Sequence, residues 1–327
     1  MGCVSRRRKP HRLQGTGEVE ETGGNIVERD THRRAISAMG SDLWTLMRPR
    51  QWMKNVFVLA PVFFAGKIGN WGSLWATVAA TVAFCLMSSA VYVVNDFMDM
   101  DRDRAHPKKK HRPLASGRVS PGPAVVLAAA LFVVAEWLGW VADTGAGVPT
   151  VLLIYGLMNL LYSTVLKHYA IVDVLIIAFG FVLRVVAGAF AAEVPPSPWL
   201  LLTTFLLASV LGLCKRRAEL AALEDQAAVH RANLGVYTVD LLNQLISIST
   251  AATIMTYAMY TFSGPQGPRA MVTVPFVMYG LFRYLYLVNQ KNEGENPDQI
   301  VVRDTPFVIN GLLWVGASFA VVYWPWL

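Results

Sequence analysis

Apolar residues in this chain come in long unbroken blocks, and that pattern removes most soluble folds from consideration. A block of about 17–25 such residues is long enough to cross a bilayer as a helix. In lipid a helix is one of only two ways, with the closed barrel, to satisfy every backbone polar group. Reading the blocks between charged or Pro/Gly breaks predicts about nine spans, at 52–67, 72–94, 120–141, 148–165, 171–192, 198–214, 239–262, 270–288 and 305–325. The chain is 54% hydrophobic and only 16% charged, the composition of an all-α polytopic membrane protein.

The +7 formal charge is distributed unevenly. With a cytoplasmic N-terminus, one side carries Arg102, Arg104, Lys108, Lys109, Lys110, Arg112 and Arg118, then Lys167, then Lys215, Arg216, Arg217 and Arg231, then Lys291 and Arg303. The other side has little beyond Lys67 and Arg269. This asymmetry follows the positive-inside rule, predicts a multi-pass protein of the plasma membrane, and explains the basic balance without nucleic acid. Residues 1–43 are polar and charged and read as a disordered cytoplasmic tail, leaving 44–327 as the transmembrane domain. Cys3, Cys85 and Cys214 have no paired spacing, so neither a disulfide framework nor a zinc site is expected.

Chemistry concentrates where the spans end in charged loops. Asn95-Asp96-Phe97-Met98-Asp99-Met100-Asp101-Arg102-Asp103 closes the second apolar block. If helix continues through it, Asp96, Asp99 and Asp103 share one face while Asp101 points away. Hard oxygen donors at a membrane boundary suit Mg²⁺ carrying a diphosphate, because that ion takes one or two carboxylates and fills its other positions with water and phosphate. The following Arg104 to Gly117 loop brings Lys110 and Arg112 to neutralise phosphate oxygens.

The next charged loop, Tyr162 to Asp173, contains Lys167 and leads into a block bearing Arg184. The eleven-residue spacing puts Asp173 and Arg184 on one helix face, with Ile177 and Gly180 between. An arginine at membrane depth is expected to face a cavity and a partner anion. The third loop opens with Lys215-Arg216-Arg217-Ala218-Glu219, cations that either end the span or reach a substrate. Glu136, Asn159, Asn243, Gln244 and Asn310 read as intramembrane packing groups.

Asn-Asp-x-x-Asp-x-x-x-Asp at 95–103, followed by His-Pro and Arg-Pro-Leu-Ala-Ser-Gly, resembles the first aspartate motif of the UbiA-type intramembrane prenyltransferases. The span pattern over 44–327 is similar as well, which implies about nine helices around a central cavity open to the cytoplasm. A narrower resemblance, to the decaprenyl-phosphate phosphoribosyltransferase branch, rests on four segments. These are Arg48 to Asn55, Tyr162 to Asp173, Gly180 to Arg184 and Lys215 to Glu219. Aromatic prenyltransferases of the superfamily usually carry a second Asp-x-x-x-Asp; here Asp173 is followed at i+4 by Ile177.

That resemblance implies Mg²⁺-dependent transfer of phosphoribose from 5-phosphoribosyl 1-diphosphate to a polyprenyl phosphate, for arabinose-containing cell-wall polymers. It implies Asp96, Asp99 and Asp103 as metal ligands and catalytic groups, with Asp173 a fourth catalytic residue. Lys54, Asn95, Lys110, Arg112, Tyr162, Lys167, Arg184, Lys215 and Arg216 would bind substrate. A homo-oligomer is compatible with this reading. Two alternatives stay open: prenyl transfer from a prenyl diphosphate to an aromatic acceptor, and transport of an anionic lipid or metabolite with Arg184 as counter-charge.

Overall fold

The structure, a computed structural model, describes residues 39–107, 109–221, 237–290 and 304–324. Most of the expected tail lies outside these residues. The expected boundary at 44 falls inside a helix over 39–47, whose Leu46 is buried against Val93, Leu114 and Val119 and whose Asp42 accepts from Arg118 at 2.9 Å.

Among the described residues eight long helices follow: α1 (Trp71–Met98), α2 (Pro121–Ala142), α3 (Gly147–Thr164), α4 (Val172–Ala191), α5 (Pro198–Ala221), α6 (Val239–Ser263), α7 (Val274–Gln290) and α8 (Thr305–Tyr323). With the 3₁₀ turn Gly267–Thr273 leading into α7, all eight are long and apolar enough to cross a membrane. They fall on eight of the predicted blocks. The first block differs: it is a 3₁₀ run, Pro49–Leu59, continued by a short α-helix, Ala60–Phe64. Proline at the start of each piece removes the N–H groups that one continuous α-helix would need.

Local chemistry sets the ends. Asn70, Thr238 and Asp304 cap α1, α6 and α8 by accepting from Ser73, Leu241 and Phe307 N–H at 3.2, 3.1 and 2.9 Å. Asp143 accepts from Gly145 and Val148 N–H and so ties the end of α2 to the start of α3.

Each helix packs on the next in sequence, and α1 also meets α3 and α4. The circuit closes where Tyr323 O–H donates to Phe63 O at 2.9 Å and Gln266 donates to Phe64 O at 2.9 Å. Helices α1 and α4 form the centre, with Phe84, Met87, Leu183 and Ala187 in the main core. Helix α8 is peripheral: 6% of its most apolar window is buried, against 56% for α1 and α4. Val126, Trp137, Leu157, Ile248 and Leu312 point outward; hydrocarbon lipid solvates such faces without penalty. Gly188 of α4 admits the 49–59 segment, because a Cβ there would stand 1.9 Å from Val58 O.

Candidate active site

Because the helices alternate in direction, α1, α3 and α5 end on the side where α2, α4 and α6 begin. The charged motifs sit at those helix ends and in the connections between them, so they gather at one end of the bundle. At the opposite end Lys67 donates to the terminal carbonyls of Ala192 and Glu193 at 3.1 and 2.9 Å, a cation at a helix C-terminus.

The first cluster forms where α1 stops. Helix α1 does not run on through Asp103: it ends at Met98, Asp99 takes φ −92 and ψ 5, and a six-residue helix, Met100–Ala105, follows. That break corrects the expected single helical face. Asp96 and Asp103 are both buried, at 3% exposure, and one guanidinium nitrogen serves both: Arg112 Nη1 donates to Asp96 Oδ1 at 3.0 Å and to Asp103 Oδ2 at 2.6 Å. Arg48 also donates to Asp96 Oδ1 and lies over the Tyr92 ring at 5.0 Å. Lys167 donates to Asp99 at 3.0 Å, joining the α3–α4 connection to the end of α1. Asn95 accepts from the Ser163 hydroxyl and makes the same link one step deeper.

Arg48 was not among the expected site residues. Its sequence signal was modest, an arginine before Pro49 at the head of an apolar block. Its backbone is left-handed, φ 52 and ψ 59, a conformation uncommon for a side-chain-bearing residue. That turn aims the guanidinium at Asp96.

The second cluster lies around the start of α4. Asp173 is wholly buried and accepts from Val174 N–H at 2.9 Å, Tyr237 O–H at 3.1 Å and Arg216 Nε at 2.8 Å. Arg216 also pairs with Glu219 and is 3% exposed. Tyr162 lies close enough to influence Arg216 electrostatically. Lys215, the residue before it, is exposed. Ile177, one turn on from Asp173, is 37% exposed, so the position that would complete a second acidic pair carries an apolar side chain.

Arg184 differs from expectation in its surroundings. It is buried, and among the described residues all three of its hydrogen-bond partners are neutral: Asn55 Oδ1 at 2.7 Å, Gly180 O at 2.8 Å and Tyr155 O–H at 3.0 Å. The rings of Tyr155, Phe181 and Phe84 lie 4.8, 5.3 and 5.5 Å from its guanidinium carbon. Its charge is therefore spread over dipoles and ring faces. Asp173 partners Arg216 instead. Lys54 is half-buried on the 49–59 segment, and Lys110 is exposed on its loop. Asn159 and Asn310 donate to Tyr155 O and Phe276 O, which fits their reading as packing groups.

Among the described residues no group of three or more His, Cys, Asp or Glu side chains is arranged to hold a metal ion, since cations stand between the carboxylates. The donor set nevertheless suits Mg²⁺, which binds through one or two carboxylates and completes its shell with water and phosphate oxygens. Asp99, with a side chain 32% exposed, is the accessible member; Asp96 and Asp103 stand behind it.

A bundle of lipid-facing helices with its ionised groups at one end defines an integral membrane protein with a one-sided polar site. The model of the UbiA prenyltransferase family matches residues 56–301. The chain belongs to that family. It is 33% identical to the decaprenyl-phosphate phosphoribosyltransferase of Mycolicibacterium smegmatis, over 86% of this chain and 93% of that protein. It is 32% identical to the enzyme of the same name from Corynebacterium glutamicum, over 93% and 94%. In fold it matches a UbiA homologue from Archaeoglobus fulgidus solved with DMAPP and Mg²⁺, with a TM-score of 0.67 and 20% identity over 86% of this chain and 99% of that one.

Proposed function

We propose that the protein transfers 5-phosphoribose from 5-phosphoribosyl 1-diphosphate to a polyprenyl phosphate, releasing diphosphate, and that Mg²⁺ is its metal. The observation that carries the reading is near-full-length similarity to two enzymes named decaprenyl-phosphate phosphoribosyltransferase. The site supports it. One acidic cluster faces Arg48, Arg112 and Lys167, and a second connection holds Asp173 and Arg216 where a second acidic pair would serve a prenyl diphosphate. A single acidic motif among cations suits one metal-bound diphosphate and one further phosphate. By the positive-inside rule the charged end faces the cytoplasm of the plasma membrane, with the catalytic domain taking in the helix over 39–47.

Asp99, backed by Asp96 and Asp103, would hold Mg²⁺, which when bound supplies charge neutralisation to a departing diphosphate. Arg48, Arg112 and Lys167 keep these carboxylates neutralised and stand ready to turn to phosphate oxygens. Lys54, Asn95, Lys110, Tyr162, Lys215 and Arg216 complete the proposed substrate-binding set, with Arg184 bracing the 49–59 segment beneath it. The lipid phosphate is already an anion, so its attack on the ribose C1 needs no strong base. Asp173, shut away from solvent, orients Arg216.

A second reading, prenyl transfer to an aromatic acceptor, draws on the fold shared with the DMAPP-bound homologue. Against it stands Ile177, an apolar residue where a second carboxylate would complete the acidic pair. Measuring diphosphate release from each donor decides: the proposal requires release from phosphoribosyl diphosphate only when polyprenyl phosphate is present. Release from prenyl diphosphate with an aromatic acid would overturn it.

A further inference from the structure

The connection that delivers Lys167 ends in a backbone turn whose energy is unfavourable. Ile171 has φ 70 and ψ −52, and Val172 N–H donates to Ala170 O at 2.8 Å across it. That is a three-residue γ-turn of the positive-φ kind, which is rare and strained, and its central residue is β-branched. Such a conformation persists only where surrounding structure imposes it. Here the Ile171 side chain is 43% exposed and packs into no core, so the constraint comes from elsewhere.

On its carbonyl side Ile171 O accepts from Val174 and Leu175 N–H at 3.0 Å each, as the first turn of α4 requires; on its N–H side the constraint comes from Tyr237. This residue stands just before α6, 4% exposed, in a cluster with Val174, Leu213 and Leu242. Its hydroxyl accepts from Ile171 N–H and donates to Asp173 Oδ1. One oxygen thus fastens the strained turn and the buried carboxylate together, and Asp173 in turn holds Arg216 at 2.8 Å. Upstream, the 3₁₀ turn Leu166–His168 carries Lys167 to Asp99. Burial pushes the Tyr237 phenol up to about 12, so it stays protonated and able to donate.

We propose that Tyr237 is a positioning residue for the transfer reaction, its hydroxyl clamping the Ile171 turn and Asp173 so that Lys167 and Arg216 are presented together. The proposal rests on the reading that these two cations serve phosphate groups. Glycine adopts the Ile171 backbone without strain, so the clamp matters less when residue 171 is glycine.

The test is a cycle of purified full-length proteins: wild type, Tyr237→Phe, Ile171→Gly and the double variant. Each is assayed for phosphoribosyl transfer and for hydrogen exchange in the 166–174 peptide. Phenylalanine keeps the ring packing and removes only the hydroxyl. Expected for Tyr237→Phe are a rise of about tenfold in the KM of a phosphate substrate with kcat within about twofold, and faster exchange in the turn. The KM penalty should shrink in the Ile171→Gly background. Unchanged KM and exchange in Tyr237→Phe overturn the clamp, as does an equal penalty in both backgrounds. Absence of transfer by wild type fails the functional reading alone, while the exchange comparison still decides whether the hydroxyl holds the turn.

Discussion

Removing the Arg112 guanidinium tests the idea that the acidic cluster is held by shared cations. In Arg112→Leu, Asp96 and Asp103 lose the nitrogen that lies 3.0 and 2.6 Å from their oxygens, and Asp96 keeps only Arg48. A hydrogen bond to a charged group contributes about 1.5–3 kcal/mol, and removing one partner of a buried pair costs about 3–5 kcal/mol. With the Arg112 side chain 30% exposed, solvent screens part of this, so about 3 kcal/mol is expected. Thermal unfolding in detergent should show the loss as a lower midpoint and a shorter half-life at fixed temperature, the appropriate measure where unfolding is irreversible. Asp103→Asn in the same background should recover part of it, because the unpaired charge is gone. A wild-type midpoint for Arg112→Leu, or no recovery in the pair, would refute the shared-cation account.

Three further outcomes follow. Asp99→Asn should leave a folded, inserted protein with most transfer lost, and chelation of divalent metal should abolish wild-type turnover; near-normal turnover in the variant would remove Asp99 from the site. Gly188→Ala should lower the unfolding midpoint, because its Cβ meets Val58 O at 1.9 Å and the 49–59 segment must move; an unchanged midpoint counts against that packing. Arg184→Leu loses three hydrogen bonds, to Asn55, Gly180 O and Tyr155, at about 1.5–3 kcal/mol each. It recovers about 2.5–3.5 kcal/mol from removing a charge at membrane depth. Insertion, read by membrane fractionation, should equal wild type because the charge at depth is gone, while the folded variant loses stability; failure to insert would contradict that reading.

The apolar blocks predicted α1 to α8 closely, because block length and charged breaks are what the bilayer itself selects, except that α5 runs on past the expected end at 214, through Lys215–Glu219, to Ala221. The 49–64 segment was less legible: its prolines and its close approach to Gly188 are tertiary matters. Asp96, Asp99, Asp103, Arg112 and Lys167 meet as their shared side of the membrane suggested, but through a break at Asp99 rather than along the single helical face that their spacing predicted. Periodicity could not foresee that Arg112 and Arg48 converge on one Asp96 oxygen, which depends on the helix break at Asp99. Arg184 shows the limit of a depth argument, since charge at depth requires partners and here Asn55, Tyr155 and three rings suffice. Tyr237 gave no signal at all, as a tyrosine at the end of a span is ordinary in any membrane protein.

The most direct test of the central claim supplies the purified protein with Mg²⁺, polyprenyl phosphate and phosphoribosyl diphosphate labelled in the ribose, then extracts the lipid. The account predicts ribose label in the organic phase that requires both substrates and is lost with Asp99→Asn. An unlabelled lipid, together with prenyl transfer to an aromatic acid from prenyl diphosphate, would contradict it.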